Sequence, residues 1–468
     1  MSTRKLRIAF VHPDLGIGGA ERLVVDAATS LQSKGHKVII YTSHHDPSHC
    51  FAETKDGTLQ ICVRGDSILP RSLFNSFYIA CAILRQVYLT LSLIFYEKEI
   101  YDVIFVDQLS ACVPLLKLTG AKVLFYCHFP DKLLTKRESI LKMMYRWPID
   151  KLEEITTGIS DRILVNSHFT AGIFRESFPS IKQMPEVLYP SIHLESYDKE
   201  VNLDDPSIKL LCTQKRLILS INRFERKKNL ALAIHAFSHL RDSAVIAPAT
   251  FSTLRLIIAG GYDPRVSENV DYHDELVSLT SFLELTSHTL FPDSTTPPPE
   301  STQVVFVCSF NEQQRSFLLS NTICLLYTPE NEHFGIVPVE AMYKKIPVIA
   351  VDSGGPRESI ETNVTGLLCA PTPEDFTNAM VKLIRDEDTR EKMGENGREH
   401  VQNMFSLDVF AERLEEILLN MGERRDWIGE YAFTLVLVPV VAWCIYLFTT
   451  MANDIQSEKL KYAEIWDW

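Results

Sequence analysis

Short apolar runs alternate with helix-like segments through the first part of the chain. Residues 6–11 read as a first strand, and the segment that Gly18-Gly19 opens repeats apolar residues at helical spacing until Gly35. Further apolar runs predict strands at residues 37–41, 103–106, 122–127 and 163–165. Because strands and helices alternate throughout, this part predicts a parallel, doubly wound sheet.

A second series of the same kind follows. Its predicted strands are residues 217–221, 254–259, 304–307, 323–326, 347–351 and 366–369. The polar stretch between the two series reads as a linker. We therefore predict an α/β protein with two Rossmann-like doubly wound domains, residues 1–195 and 211–405, a linker at 196–210 and a closing helix at 406–422.

The carboxyl-terminal part departs from this pattern. Residues 431–450 contain no charged side chain. About twenty residues at roughly 1.5 Å each span about 30 Å, the thickness of a bilayer's hydrocarbon core. Pro439 permits a kink, or a hairpin in place of a straight span. We predict a membrane segment here, with a buried core helix as the alternative.

A second apolar segment, residues 73–96, is interrupted by Arg85 and Gln86. Phe77 and Leu91 are among the apolar residues that recur at helical spacing, so the segment predicts a helix with one strongly apolar face. That face could dock on a membrane surface or pack in a protein core, and the sequence favours neither.

Charge and cysteine usage narrow the possible partners. The formal net charge of −13 argues against a protein that coats nucleic acid, because phosphate neutralisation requires a basic face. The ten cysteines include no CxxC pair, so we expect a reducing compartment and no disulfide scaffold. The amino-terminal apolar run is too short for a secretory signal, which places the body of the protein on the cytosolic side.

Two glutamates carry the strongest chemical signal. Glu332 follows an apolar run and would lie in a loop at the carboxyl end of a strand, whereas Glu340 is expected at the start of the next helix. Phe334-Gly335 lies between them, and a Ser-Gly-Gly-Pro-Arg-Glu turn at 353–358 follows the next strand. Because ligands of open parallel sheets bind at this edge, both carboxylates are predicted to face one cleft.

Two basic side chains follow the first strand of the second series. Arg223 lies at the strand exit and Lys228 precedes a helix, so both could converge on a diphosphate near a helix N-terminus. The alternative is a solvated basic loop, since Arg226 and Lys227 extend the charge run. The shared position with Glu332 at the mouth of one cleft favours phosphate binding.

Gly18 and Gly19 lie between the first strand and its helix. Glycines at that place let backbone N–H groups approach an anion, although a tight turn is the alternative. A dinucleotide site is disfavoured, because the second strand ends in Tyr-Thr-Ser at 41–43, without an acidic residue for a ribose.

His128 follows a strand of the first series and would face the cleft from the other side, although a histidine in that position is often structural. Three histidines and a cysteine at 44–50 could resemble metal ligands, but they surround a plain turn. The acidic residues 386–388 lie in an exposed helical pattern. We predict no metal site.

Together these residues resemble the retaining nucleotide-sugar glycosyltransferases of the GT-B fold. The resemblance covers roughly residues 5–420 and rests on the Gly-Gly turn, the Arg223/Lys228 pair, the two glutamates and the SGGPRE turn. Longer stretches are similar to the endoplasmic reticulum mannosyltransferases that extend a dolichol-pyrophosphate-linked oligosaccharide. These stretches include HPDLGIGGAERLVVDAA, YCHFPDKLL, LVNSHFTAGIF and SINRFERKKNL.

The resemblance implies a role for each candidate in the second domain. Arg223 and Lys228 would bind the donor diphosphate and stabilise the departing GDP. Glu332 would hold the mannose hydroxyls and Glu340 the ribose. Phe334 and Gly335 would complete the donor site.

In the first domain, which would be the acceptor side, Gly18 and Gly19 would line the donor phosphate and acceptor region. His128 would lie near the transferred sugar and join the catalytic set. No metal cofactor is implied, because cationic side chains and helix ends would stabilise the leaving phosphate.

The implied reaction is retaining transfer of mannose from GDP-mannose to a dolichol-pyrophosphate-linked oligosaccharide. It would form α-1,3 and then α-1,6 linkages at one active site. The implied location is the endoplasmic reticulum membrane, with the catalytic domains facing the cytosol and other glycosyltransferases of the pathway as further partners. Two alternatives stay open: another lipid-directed GT-B enzyme, and a non-catalytic GT-B subunit that recruits other glycosyltransferases.

Overall fold

A computed structural model of the chain describes residues 4–66, 68–72, 77–97, 99–135, 140–243 and 245–422. These residues form two compact units. The first comprises the described residues up to Leu164, Ser177–Glu186 and the described residues from Glu415 onward. The second comprises Val165–Glu176 and Val187–Leu414.

The first unit is built on a seven-stranded sheet. Its strands are β1 (Arg7–His12), β2 (Lys37–Thr42), β3 (Gln60–Val63), β4 (Val103–Asp107), β5 (Lys122–Cys127), β6 (Arg162–Val165) and β7 (Glu186–Val187). They lie in the order β3-β2-β1-β4-β5-β6-β7, and β1 pairs in parallel with both β2 and β4. The direction of winding reverses between β1 and β4, so their carboxyl ends form the switch point at which open α/β sheets bind ligands.

A second seven-stranded sheet forms the core of the second unit. Its strands are β8 (Arg216–Ile221), β9 (Leu254–Gly260), β10 (Ser287–Leu290), β11 (Val304–Cys308), β12 (Thr322–Tyr327), β13 (Val348–Val351) and β14 (Gly366–Cys369). The order is β10-β11-β9-β8-β12-β13-β14, with parallel pairing throughout the sheet. Here the switch point lies between β8 and β12.

Seventeen helices lie among the described residues. Up to β8 they are α1 (Gly19–Ser33), α2 (Tyr78–Tyr96), α3 (Val113–Lys117), α4 (Asp131–Leu134), α5 (Ile140–Gly158), α6 (His168–Ser177), α7 (Leu194–Tyr197) and α8 (Pro206–Lys209). After β8 they are α9 (Leu230–Asp242), α10 (Pro248–Ser252), α11 (Ser267–Phe282), α12 (Glu312–Ser320), α13 (Ile336–Tyr343), α14 (Pro356–Ser359), α15 (Pro373–Arg385), α16 (Glu387–Met404) and α17 (Leu407–Asn420). Single 3₁₀ turns occupy Ala52–Thr54 and Arg226–Lys228.

Strand residues of the second unit alternate between two hydrophobic clusters, as the two-residue period of a strand requires. Ile218 packs on one side with Phe237 and Phe376, whereas Leu219 packs on the other side with Met342. Both faces of this sheet are therefore covered, which is why strands such as β11 (VVFVC) and β13 (VIAV) are continuous apolar runs.

The fold class predicted from the sequence is confirmed: both units are α/β, with parallel strand pairs and helices between most successive strands. Every strand predicted from an apolar run is present within one or two residues of its predicted ends. The strands β3, β7 and β10 were not predicted. Their sequences, QICV, EV and SHTL, contain too few apolar residues in succession to stand out.

The helix predicted from the apolar segment at 73–96 is α2, and its buried residues are both polar and apolar. Arg85 and Gln86, which interrupt the apolar segment, are buried, whereas Leu91 and Phe95 are exposed. Arg85 donates to the carbonyl of Ser43 at 2.7 Å, so the polar residues hold the helix to its own unit. Among the described residues, α2 is the one helix long and apolar enough to cross a membrane.

The membrane segment predicted at residues 431–450 lies outside the described residues.

Candidate active site

An ion pair joins the carboxyl ends of the two strands at the switch point of the second unit. Lys228 ends the 3₁₀ turn that follows β8, and Glu332 lies in the loop between β12 and α13. The ammonium of Lys228 contacts the carboxylate of Glu332 directly. The two side chains are 17% and 19% exposed, so the pair is sheltered but reachable from solvent.

Charge controls the protonation of this carboxylate. Burial alone would raise the pKa of Glu332, but the adjacent Lys228 ammonium outweighs burial and holds the pKa below its ordinary value. Glu332 is therefore ionised at neutral pH. The site presents one negative and one positive group side by side, which suits a ligand with both hydroxyls and phosphates.

The last residue of β12 and the next residue flank this pair. Burial, with the charge of the nearby Glu332 carboxylate, raises the pKa of the Tyr327 phenol. The Thr328 hydroxyl donates to the backbone carbonyl of Lys228 at 2.8 Å. Neither residue was predicted to belong to the site, because in the sequence both appear to be the end of an apolar strand.

Glycines give the Glu332 loop its shape. Gly335 has φ +82°, in the left-handed region that favours glycine, and a side chain there would press on the Tyr327 phenol. The backbone of Gly355 packs directly on Phe334, and its N–H donates to the carbonyl of Glu332 at 2.8 Å. The Ser-Gly-Gly turn after β13 thus packs against the Glu332 loop and supports its conformation.

Arg223 follows β8 by two residues and reaches solvent, with its side chain 69% exposed. Its guanidinium lies 3.8 Å from the carboxylate of Glu225. Gly260, at the end of β9, meets the backbone of Asn222 so closely that any side chain would collide with it. The backbone at Asn222 and Arg223 therefore lies directly against the end of β9. The structure shows no direct contact between Arg223 and the Lys228–Glu332 pair.

Glu340 differs from its prediction: it lies one turn inside α13 and does not open the helix. Its side chain is buried and forms an ion pair with Arg315 on α12. Arg315 also donates to the hydroxyl of Tyr197 at 2.8 Å. One carboxylate oxygen of Glu340, Oε2, is buried and has no hydrogen-bond partner among the described residues. The structure therefore places Glu332 and Glu340 in separate ion pairs.

Phe334, between the two glutamates, is a buried packing residue. Its ring centroid lies 5.7 Å from that of Tyr189 and 5.6 Å from that of Phe405. The Tyr189 hydroxyl donates to Glu358, the last residue of the SGGPRE turn, at 3.1 Å. Glu358 also accepts the backbone N–H of Phe169 at the start of α6, at 2.7 Å. The Glu358 carboxylate thus accepts hydrogen bonds from N–H groups at the N-terminus of α6, which have no partner within the helix.

The candidates of the first unit lie at its own switch point. Gly18 is the N-cap of α1, and Gly19 is the first residue of that helix. The space that a side chain at Gly18 would need is occupied by the carboxylate of Glu21. His128 follows β5, and its Nε2 lies 3.0 Å from a carboxylate oxygen of Asp107 at the end of β4.

Sequence reasoning overlooked the residues that hold the candidates: Tyr327, Thr328, Arg315 and Asp107. One signal could have revealed Arg315. Glu340 is the single charged residue of α13, IVPVEAMY, and a carboxylate in so apolar a helix needs a cationic partner. Among the described residues, no three His, Cys, Asp or Glu side chains gather as metal ligands would.

Two family models match the chain. The model described as Glycosyltransferase Family 4 matches residues 17–196, and the model described as Glycosyl transferases group 1 matches residues 299–400. Sucrose-phosphate synthase from Thermosynechococcus elongatus has a similar structure, with TM-score 0.64 and 18% identity, covering 89% of this chain and 99% of that one. WaaG, a glycosyltransferase involved in lipopolysaccharide biosynthesis, gives TM-score 0.60 and 16% identity over 88% and 99%. At such identities the structures show the fold alone, and with the family models they define a glycosyltransferase of the GT-B fold.

Sequence relatives are more specific. The chain is 56% identical over 424 residues to the alpha-1,3/1,6-mannosyltransferase ALG2 of Rhizomucor pusillus, covering 90% of this chain and 93% of the relative. It is 48% identical over 420 residues to the alpha-1,3/1,6-mannosyltransferase ALG2 of Homo sapiens, covering 88% and 95%. The chain belongs to this family of mannosyltransferases, which confirms the resemblance and the enzyme class expected from the sequence.

Proposed function

We propose that this enzyme transfers mannose from GDP-mannose to a dolichol-pyrophosphate-linked oligosaccharide. The transfer retains the anomeric configuration and forms first an α-1,3 and then an α-1,6 linkage. Family membership supports the mannosyl transfer, and the chemistry of the second unit supports a nucleotide-sugar donor. The observation that carries the proposal is the Lys228–Glu332 ion pair at the switch point between β8 and β12.

Lys228 and Arg223 supply positive charge for the donor diphosphate. Charge-assisted hydrogen bonds to a phosphate are worth about 1.5 to 3 kcal/mol each, and they strengthen as the leaving group gains charge. Lys228 is the sheltered cation, whereas the exposed Arg223 can turn toward a bound phosphate. Together they would replace a divalent ion in stabilising the departing GDP, so we propose a reaction that needs no metal.

The carboxylates would hold the sugar and the nucleoside. Ionised Glu332 would accept hydrogen bonds from the mannose hydroxyls. Glu340 would accept from a ribose hydroxyl, for which its unpaired Oε2 is suited. Phe334 and Gly335 would maintain the spacing between the two. In the first unit, Gly18 and Gly19 would line the phosphate and acceptor region, and His128 would lie near the transferred mannose.

We further propose that the enzyme acts at the endoplasmic reticulum membrane with its catalytic units on the cytosolic side. Residues 431–450 would provide the membrane segment, and other glycosyltransferases of the pathway would be its neighbours. The exposed apolar side chains of α2, Leu91 and Phe95 among them, favour docking on a membrane surface over packing in a core.

The test is a transfer assay with the purified full chain. It is incubated with GDP-mannose or UDP-sugars and a lipid-pyrophosphate trisaccharide, with and without EDTA, and the products are weighed by mass spectrometry. We expect one and then two added hexoses with GDP-mannose alone, at the same rate in EDTA. Transfer from a UDP-sugar would indicate another lipid-directed enzyme, and no transfer from any donor would indicate a non-catalytic subunit.

One active site should form both linkages. Lys228→Ala and Glu332→Gln are therefore expected to slow the first and the second transfer by similar factors, which linkage-specific mannosidases can measure separately. A variant that abolishes one linkage and spares the other would contradict a single site.

A further inference from the structure

Three titratable side chains meet at the switch point of the first unit. His12 is the last residue of β1, Asp107 is the last residue of β4, and His128 follows β5. Nδ1 of His12 lies 2.7 Å from one carboxylate oxygen of Asp107, and Nε2 of His128 lies 3.0 Å from the other oxygen. A single carboxylate thus binds two imidazoles from the neighbouring strands on either side.

The carboxylate and the first imidazole are isolated from solvent, because each side chain is only 1% exposed. A buried carboxylate is stable only when positive charge or several donors compensate it. The remaining nitrogen of His12, Nε2, makes no hydrogen bond with any described residue, and Glu21 of α1 lies 3.8 Å from it. Two carboxylates therefore surround His12, and a cationic ring is the form that they favour.

The charges of the network follow from these contacts. Burial alone would lower the pKa of His12, but Asp107 and Glu21 raise it to about 10. Burial would likewise raise the pKa of Asp107, yet His12 and His128 hold it below its ordinary value. The other ionisable side chains near Asp107, Tyr126 and Cys112, stay neutral because burial raises the pKa of each.

An ionised Asp107 can only accept hydrogen bonds, so the proton in its contact with His128 lies on Nε2 of that ring. This contact selects the tautomer and orients the imidazole. The ring of Tyr126, whose centroid lies 4.8 Å away, limits rotation from the side. His128 is thus held in one orientation, with a proton on Nε2.

We propose that Asp107 and His12 are positioning residues for glycosyl transfer. Asp107 fixes the orientation of His128, and His12, as an imidazolium, keeps Asp107 an acceptor. The inference rests on the proposed placement of His128 near the transferred mannose. It adds Asp107 and His12 to the residues of the first unit that are proposed to take part in transfer. The contacts of Glu21 and His12 also connect the Gly18-Gly19 turn to His128.

A purely structural role is the competing explanation, because removing a buried charge destabilises any protein. Asp161 provides a matched control. It is a partly buried aspartate of the same unit that accepts from Lys117 at 2.8 Å and from the N–H of Val123 at 2.7 Å, at the amino-terminal edge of the sheet. Asp161→Asn should lower the thermal midpoint and leave the kinetics of the folded enzyme unchanged.

The experiment compares Asp107→Asn, Asp107→Glu, His12→Asn and the Asp161→Asn control in the full chain. Steady-state transfer from GDP-mannose is measured over a range of pH. Loss of a group that sets a catalytic tautomer costs on the order of a hundredfold or more in kcat, so we expect that loss in Asp107→Asn with the KM for donor little changed. Asp107→Glu should recover part of the rate, and the pH profile of Asp107→Asn should differ from that of the wild type, because the carboxylate that both imidazoles contact is removed.

Labelling the histidines with ¹⁵N separates this inference from the proposed function. In the wild type, the His128 resonances should show a proton on Nε2, and Asp107→Asn should shift them. A folded Asp107→Asn enzyme with a wild-type pH profile and a kcat within about threefold of wild type would overturn the proposal. If wild-type protein transfers no mannose, the proposed function fails, and unchanged His128 resonances in Asp107→Asn would overturn the positioning role by themselves.

Discussion

The hydroxyl of Thr328 donates a hydrogen bond to the carbonyl of Lys228, one hundred residues earlier in the chain. Its neighbour Tyr327 has its buried phenol near the carboxylate of Glu332, which in turn pairs with the Lys228 ammonium. The last residue of β12 and the residue after it thus flank the ion pair, Thr328 at the backbone of Lys228 and Tyr327 at the side chain of Glu332.

Thr328→Val keeps the shape of the side chain and removes the hydroxyl. A neutral hydrogen bond contributes about 1 kcal/mol, so we expect kcat for mannose transfer to fall about fivefold through displacement of Lys228. Thr328→Ser retains the donor and should stay close to wild type. Equal rates for the valine and serine variants would show that this hydrogen bond does not position Lys228.

Tyr327→Phe removes the buried hydroxyl that lies near the Glu332 carboxylate. A hydrogen bond to a charged group is worth about 1.5 to 3 kcal/mol, so we expect kcat to fall, with a loss of roughly a hundredfold as the upper bound. Tyr343→Phe is the matched control, since it removes a phenol that donates to Asp198 at 2.6 Å, elsewhere in the unit. If both variants lose the same activity, the effect comes from general destabilisation.

Much of this arrangement could be predicted from the sequence. Lys228 and Glu332 are 104 residues apart, yet both follow apolar runs, and the carboxyl ends of parallel strands share an edge. That rule predicts which residues lie in one region of the fold, but it does not predict which side chains form ion pairs there. It could not show that Glu340 pairs with Arg315, because the direction of a side chain on a helix depends on where the helix docks.

The same limit explains why the sequence could not decide which residues of α2 are buried. The helix buries Leu89 and Leu93 together with Arg85, which donates to a carbonyl at the sheet edge. A buried backbone carbonyl needs a donor, and this need is not visible in the spacing of apolar residues. Asp107 was overlooked for a related reason: as the polar end of an apolar strand, it carries no signal until His12 and His128 are seen on either side.

Lys228 and Glu332 should be energetically coupled. If Lys228 stabilises the leaving group as proposed, Lys228→Ala should lower kcat by about a hundredfold or more. A double-mutant cycle with Glu332→Gln should show non-additive losses, because residues in contact share one interaction. The readout is kcat at saturating GDP-mannose. Near-normal turnover in Lys228→Ala would rule out its role at the leaving group.

Arg315→Met should lower stability through Glu340. Removing one partner of a buried ion pair leaves an uncompensated charge, at a cost of about 3 to 5 kcal/mol. The double variant Arg315→Met/Glu340→Gln removes both charges and should recover much of that loss. Thermal unfolding of the detergent-solubilised protein measures the differences. If the double variant is less stable than Arg315→Met, Glu340 does not depend on Arg315 for compensation.

The carboxylate of Glu153 should make stability depend on pH near neutrality. It accepts the backbone N–H groups of Asp131 and Lys132 at 2.7 and 3.0 Å. Burial, with the nearby charge of Asp131, raises its pKa from 4.5 to about 7. A folded-state pKa above the unfolded value means that the contribution is fully present below pH 4.5 and is lost as pH rises through about 7.

Over that range the wild type should lose about 3 kcal/mol that Glu153→Gln does not lose. Unfolding free energies measured at pH values of about 5 and about 8 give the slope for each protein, and the slopes should differ with the wild type falling more steeply. A loss of stability that does not depend on pH, such as a weaker hydrogen bond to the N–H groups at the start of α4, leaves the slope unchanged and so does not affect this comparison. If unfolding free energy depends on pH in the same way for both proteins, Glu153 has the same pKa in the folded and the unfolded chain. The start of α4, just after His128, would then be held by an ionised Glu153 carboxylate.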